Sequence, residues 1–382
     1  MKRYALAGSR IFTGDQIMAD HAVVVCNGVV ENVLPEADIP VGLVVRRLEG
    51  GLLVPGFIDT QVNGGGGVLF NDSPTPEAIE EIGRAHRKYG TTGFLPTLIS
   101  DEREVMEQAI VASRLALAEG VPGMLGVHLE GPYLNVARKG VHPEERIRLP
   151  EQDALSLLTS LDASRGVTMV TLAPEQVPPG FVSRLVAAGV KVSAGHTAAT
   201  YEQVMAGLAE GVTGFTHLFN AMSPFTSREP GCVGAALDHN ESWCGIIVDT
   251  HHVHPSTLRV AINAKKSGRM MLVTDAIHTV GSSLKDFELF GVELVRENGR
   301  VTTPDGTLAG SDLTMIGAVV NCVEAVGLSL EESLRMASRY PAEFLGLGDR
   351  LGSIMAGYQA DMVLLTDQMK VAETWIAGES DS

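Results

Sequence analysis

From residue 54 onward the chain repeats one unit: a short run of Val, Ile, Leu and Gly, then a charged motif, then a stretch with helical spacing. Such runs close in LVPGFIDTQVN, TTGFLPTL, GMLGVHLEGP, VTMVTLAPE, VKVSAGH, VTGFTHLFNAM, CGIIVDTHHV and MMLVTDA, eight in all. PEAIEEIGRAHRKYG, SDEREVMEQAIVASRLALAEG, YEQVMAGLAEG and PSTLRVAINAKKSG read as helices, with start signals at Thr75-Pro76, Ser100-Asp101 and Thr200. Eight strands alternating with helices predict an α/β fold, a (β/α)8 TIM barrel, in which side chains at the C-terminal strand ends converge on one mouth. The rival is a doubly wound open sheet, weakened by the absence of a GxGxxG turn after the first strand. Gly64 to Gly67 lacks that spacing and reads as a mobile, close-packed loop.

The two ends follow a different pattern. Residues 1–53 hold short β-like runs (HAVVVCNGVVENVL, GLVVRRLEG) separated by turns, and residues 351–382 look similar (LGSIMAGYQADMVLLTD, VAETWIAGES). Neither end has enough apolar surface to fold alone. They are expected to pair into a small β-sandwich beside a barrel of residues 54–350.

A length of 382 residues accommodates this plan, and 45% hydrophobic with 20% charged residues is ordinary for a globular enzyme. No stretch approaches the roughly 20 apolar residues of a membrane span. The opening MKRYALAGSRIFTGDQ has no apolar run like a signal-peptide core. Cys26, Cys232, Cys244 and Cys322 are far apart with no CxxC pair, which argues against a disulfide framework and fits a reducing cytoplasm. The formal charge of −17 speaks against nucleic acid as a partner. It also means that an anionic substrate needs specific cationic groups to hold it.

Four polar residues end inferred strands: Glu130 in HLEGP, His196 in SAGH, His217 in THLFNAM and Asp275 in VTDA. Any one alone reads as a hydrogen-bonded structural residue. Together they read differently, because an unpaired buried carboxylate costs several kcal/mol and a metal relieves that cost. Two imidazoles and one carboxylate suit zinc or another borderline divalent ion and leave a position for water. Asp275, on another strand, is then free to take a proton from that water. His128 shares a strand face with Glu130 and is either a packing residue or a support for it. His251 and His254 read as a solvated loop cluster, His239 and His21 as surface residues, and His86 as structural within its helix.

LVPGFID, HLEGP with KGVHPE, SAGHT, THLFNAM with REPG, LVTDA, LAGSDLTM and GSIMAGYQADMVLL together resemble the N-acetylglucosamine-6-phosphate deacetylases of the amidohydrolase superfamily, nearly from end to end. The resemblance implies metal-dependent hydrolysis of the acetamide of a phosphorylated amino sugar, with Glu130, His196 and His217 as ligands and Asp275 as acid/base. It places His142 at the acetyl carbonyl and Asn220, Ala221 and His252 at the sugar phosphate. Leu308, Ala309 and Gly310 would line the pocket. Arg228, whose planar fork suits phosphate, would bind it, from the neighbouring subunit of a homodimer or homotetramer. Metallohydrolases that hold two ions on this barrel end the first strand in His-x-His. Here that place reads Gln61-Val62-Asn63. Neutral amides are poor ligands beside imidazole, so one divalent metal per chain is expected, zinc first, with iron, cobalt or manganese also compatible. The His251-His252 doublet leaves open which ring faces substrate, with His252 preferred. Competing expectations are an amidohydrolase for a non-phosphorylated amide or cyclic imide, which has no need of Arg228, and a non-catalytic scaffold.

Overall fold

The computed structural model describes residues 2–283, 286–289, 291–297, 299–304, 306 and 308–381. Positions 1 and 382 of the expected terminal unit lie outside the described residues.

The barrel strands are Phe57–Val62, Thr91–Ile99, Gly126–Glu130, Val167–Leu172, Lys191–Ala194, Gly214–Phe215, Trp243–Ile246 and Met270–Leu272, hydrogen-bonded in chain order in one parallel eight-stranded sheet. A parallel bridge between Val62 and Ala276 brings the last strand's extension against the first and closes the ring. The first two strands are buried at every position. Helices outside and packed side chains inside leave such strands no wet face, hence their continuous apolar runs.

The helix signals follow local chemistry. Pro76–Arg87 starts at Thr75, whose hydroxyl accepts the Ala78 N–H, with Pro76 in the first turn where its missing donor costs nothing. Tyr201–Glu210 opens with a reciprocal capping box between Thr200 and Gln203 and ends at left-handed Gly211. The Ser100-Asp101 signal is displaced. Helix Arg103–Glu119 begins after Glu102, without a side-chain cap. Ser100 instead meets His142, and Asp101 accepts from Asn71. His254, expected in a solvated cluster, caps helix Pro255–Ala264 by accepting the Ser256 N–H.

The terminal segments build two sheets. One holds Arg3–Ala7, His21–Cys26, Val29–Pro35 and Val44–Arg47; the other joins Arg10–Phe12, Ile17–Met18 and Leu52–Pro55 to Met362–Leu365, Val371–Ile376 and Glu379–Ser380. Leu6, Val23 and Val25 of the first pack with Ile11, Leu53, Met362 and Trp375 of the second, a sandwich core separate from the barrel's. Leu52–Pro55 belongs to this sandwich, so the chain enters the barrel at Gly56, slightly beyond the expected boundary. Among the described residues, no helix is long and apolar enough to cross a membrane.

One element was not anticipated. After the eighth strand, Asp286–Leu289, Val292–Glu297 and Arg300–Thr302 form a three-stranded antiparallel sheet. Leu294 and Val301 of this sheet pack on Leu69, Ile277 and Ala309 at the barrel mouth.

Candidate functional site

At the C-terminal strand ends lies a cavity of about 260 Å³, lined by residues from every barrel strand or its following loop except the fourth. Glu130 is the last residue of the third strand and is 2% exposed. His196 and His217 each follow their strands by two residues, and Asp275 follows the eighth by three. All three adopt left-handed backbone, with φ of 48°, 34° and 52°. A non-glycine residue there carries strain of roughly 1–3 kcal/mol, tolerated where the surroundings hold it for a purpose. Here the backbone turn ends each strand and swings its side chain over the mouth.

The four groups meet. Glu130 Oε1 lies 3.2 Å from His196 Nε2 and 2.9 Å from His217 Nε2, and the two nitrogens are 3.0 Å apart. His196 Nδ1 lies 2.9 Å from the Arg138 carbonyl, which can only accept, so Nδ1 carries a proton and Nε2 is the nitrogen turned to Glu130. Two ring nitrogens and a carboxylate oxygen aimed at one point suit a cation, and a ring fixed by a carbonyl on its far nitrogen is the usual support of a metal-ligating histidine. Glu130, His142 and His196 also lie close enough to share an ion. His142, however, accepts the Ser100 backbone N–H on Nδ1 at 3.2 Å, which puts its proton on Nε2. That ring offers a donor to the cavity, so His217 is the better third ligand.

Electrostatics follow burial and neighbours. Burial would raise the Glu130 pKa, but hydrogen bonds from His196 and His217 hold it well below the usual value. Burial likewise opposes charge on His217, yet Glu130 outweighs it and the pKa is raised. Burial, then the neighbouring His196 ring, holds His142 well below normal, so it is neutral at pH 7. Asp275 is raised by burial and by repulsion from Glu130.

Gln61 and Asn63 do what neutral amides can do. Gln61 Nε2 lies 3.1 Å from both Glu130 oxygens and from Asp275 Oδ1, and Asn63 Nδ2 donates to Asp275 Oδ1 at 2.7 Å. Their donors are spent on the two carboxylates. Beneath them, buried Asp59 accepts from Gln61 N–H, Thr274 N–H and the Thr274 hydroxyl, tying the first strand to the eighth.

The other expected residues divide. Asn220, Ala221, His252, Leu308 and Gly310 line the cavity with His142. Ala309 does not: it is buried against Leu294 and Val301. His252 lines the cavity while His251 is exposed. Arg228 stands exposed on the 223–230 loop, away from this chain's cavity, with no ion pair among the described residues. His128 packs in a buried polar ladder, Nδ1 to Thr97 and Nε2 to Thr171, and Thr171 continues to Thr216. His86 is buried, with Nε2 2.9 Å from the Gly64 carbonyl. Gly64 is close-packed as expected, a Cβ there lying 2.5 Å from the Val68 oxygen, but Gly64–Gly65 pairs antiparallel with Val68–Leu69 where a loop was expected.

Asp249 was not singled out in the sequence. Its Oδ2 accepts from His252 Nδ1 at 2.6 Å, and its Oδ1 takes the backbone N–H groups of His251 and His252. The signal was present: a carboxylate closing an apolar run, three residues before the imidazole. Burial would raise its pKa, but the His252 bond lowers it.

Residues 52–380 match the amidohydrolase family and residues 3–53 a NagA composite domain. An N-acetylgalactosamine-6-phosphate deacetylase from Shewanella sp. (strain ANA-3) is 46% identical over 87% of this chain and 84% of its own. An N-acetylglucosamine-6-phosphate deacetylase from Haemophilus influenzae is 37% identical over 99% of each chain. The crystal structure of the N-acetylglucosamine-6-phosphate deacetylase from Pasteurella multocida superposes over 100% of both chains with a TM-score of 0.96 at 36% identity. With the family matched along the barrel and sandwich strands alike, and relatives covering the whole length, the chain belongs to the amidohydrolase family.

Proposed function

We propose that this chain hydrolyses the acetamide of N-acetylglucosamine 6-phosphate, releasing acetate and glucosamine 6-phosphate. The observation that carries it is the meeting of Glu130, His196, His217 and Asp275 at one mouth. The 46%-identical Shewanella relative favours the galactosamine epimer as a second substrate.

Glu130, His196 and His217 would hold one divalent cation, zinc first, with iron, cobalt and manganese also suited to this donor set. When bound, such an ion supplies Lewis acidity to a water and to the acetyl carbonyl. Asp275 accepts the proton of the attacking water and returns it to the departing amine nitrogen, which cannot leave as an anion. A raised pKa suits a carboxylate that must also give the proton back. His142, neutral and protonated on Nε2, donates to the oxygen on which negative charge develops. Asn220, the Ala221 backbone and His252 receive the sugar phosphate, and Leu308 and Gly310 line the substrate pocket. Arg228 would serve the neighbouring subunit's phosphate in a homodimer or a homotetramer of dimers; its exposure and lack of a partner among the described residues support this. A cytoplasmic setting fits the four free cysteines, three of them buried.

Acetate release from phosphorylated and unphosphorylated N-acetylglucosamine, before and after chelation, tests the proposal. Turnover of the phosphorylated sugar alone, lost on chelation and restored by about one equivalent of metal, is expected. Equal turnover of both sugars, or indifference to chelation, overturns it.

A further inference from the structure

The cavity has two chemically different sides. Asn220, Ala221 and His252 follow the sixth and seventh barrel strands. Leu69, Ile99, Val141, Ile277 and Leu308 follow the first, second, third and eighth, one continuous arc because the Val62–Ala276 bridge joins the eighth strand to the first. All five side chains on that arc are aliphatic. Its amide donors are already engaged: Asn71 donates to the Ile99 carbonyl and Asp101 and accepts the Ile99 N–H, and Asn63 donates to Asp275, while Asn63 Oδ1 is buried with no partner among the described residues.

This wall has a backing of its own. Leu69 and Ile277 pack with Leu294 and Val301 of the added sheet and with Ala309, and Val141 lies against them. Its shape is therefore set by a small core distinct from the barrel interior.

The two substituents of an amide leave in opposite directions, the sugar from nitrogen and the acyl chain from carbon. With the reacting carbon between Asp275 and His142, a sugar phosphate directed to the polar loops sends the acyl chain toward the aliphatic arc. We infer that Leu69, Ile99, Val141, Ile277 and Leu308 form an acyl subsite that decides which N-acyl group is removed. The inference rests on the deacylase reading above and deepens it. A short apolar acyl group fits, a hydroxylated one loses hydration with only the buried Asn63 Oδ1 to accept from it, and a longer one meets Leu69 and Ile277.

The experiment compares kcat/KM for N-acetyl-, N-propionyl- and N-glycolylglucosamine 6-phosphate in the unaltered protein and in Ile277→Ala, Val141→Ala and His252→Ala. A methylene in an apolar pocket is worth a factor of about 10–200 and an added hydroxyl about 100. The unaltered protein is expected to prefer acetyl over both analogues by about 10-fold or more. Ile277→Ala should raise the propionyl-to-acetyl ratio by about 10-fold, and Val141→Ala should move it the same way. His252→Ala should depress all three substrates in equal proportion. A ratio taken within one preparation is independent of the folded fraction, so a poorly folding variant still reports. Unchanged ratios in both wall variants, or a ratio shift in His252→Ala as large as in Ile277→Ala, overturn the inference while the deacylase reading stands. No acyl release from any of the three by the unaltered protein overturns that reading and this inference with it.

Discussion

The barrel mouth and the terminal sandwich both bury a carboxyl group, and the two sites are built to opposite ends. In the sandwich, Asp361 stands just before strand Met362–Leu365 and accepts from the Gln359 amide and the Ala377 N–H, beside the apolar core residues Ala360 and Met362. At the mouth, Asp275 sits on left-handed backbone, faces a second carboxylate and is flanked by polar atoms with no partner among the described residues, Asn63 Oδ1 and His217 Nδ1. One site pairs its carboxyl with donors from its own sandwich. The other accepts strain and unmatched polarity where a ligand is to be met.

Substitutions can break that contrast, and the largest effect belongs to the mouth. Asp275→Asn keeps the shape but removes the proton acceptor, so kcat should fall by about 10²–10⁴-fold, with the thermal midpoint unchanged or raised by relief of repulsion from Glu130. Steady-state kinetics beside calorimetry checks this; a fall in stability matching the fall in rate removes Asp275 from the chemistry. In the sandwich the pattern should invert. Trp375→Ala empties a fully buried site and should cost about 3–5 kcal/mol in denaturant unfolding, with turnover per folded molecule retained.

The carboxyl of Asp361 gives a third, pH-dependent comparison. Burial pushes its pKa from 3.8 up to about 6. A folded pKa above the unfolded one stabilises most at low pH, so this contribution is complete below about pH 4 and lost as pH rises through 6. The loss is about 3 kcal/mol at 1.36 kcal/mol per unit. It should appear as the difference between the unfolding free energies of the unaltered protein and Asp361→Asn from pH 4 to 7; parallel profiles would show that burial there does not favour the neutral acid. The smallest effect is expected at Asp249→Asn, which weakens a charge-assisted bond worth about 1.5–3 kcal/mol and should lower kcat/KM by about 10–100-fold, with most of the change in KM. A change confined to kcat would mean that His252 serves the reaction rather than binding.

The contrast also explains what could be read before any coordinates. Glu130, His196, His217 and Asp275 stood out because each is a polar residue closing an apolar run, and a parallel strand buried on both faces leaves such a residue nowhere to go but the mouth. His142 was legible only through family resemblance, since it lies in an irregular segment and its role depends on which nitrogen meets Ser100. Ser100 and Asp101 looked like a helix start because the same short polar side chains that cap helices also serve loops. The sheet over residues 286–302 was missed although VELVRENGRVTT alternates, because it interrupts the strand-helix rhythm of the rest.

The amino-acid order alone determined the eight-stranded barrel, the pairing of the two ends, the four strand-end groups and the replacement of His-x-His by Gln61 and Asn63. These are written in local periodicity and residue type, which each segment carries with it. Only the tertiary structure decided that His142 turns its Nε2 toward the cavity, that Asp249 bonds His252, that Ala309 turns inward, and that Arg228 leaves its own cavity. Those outcomes depend on the direction of a side chain from irregular backbone and on partners distant along the chain. Neither has a period to be read.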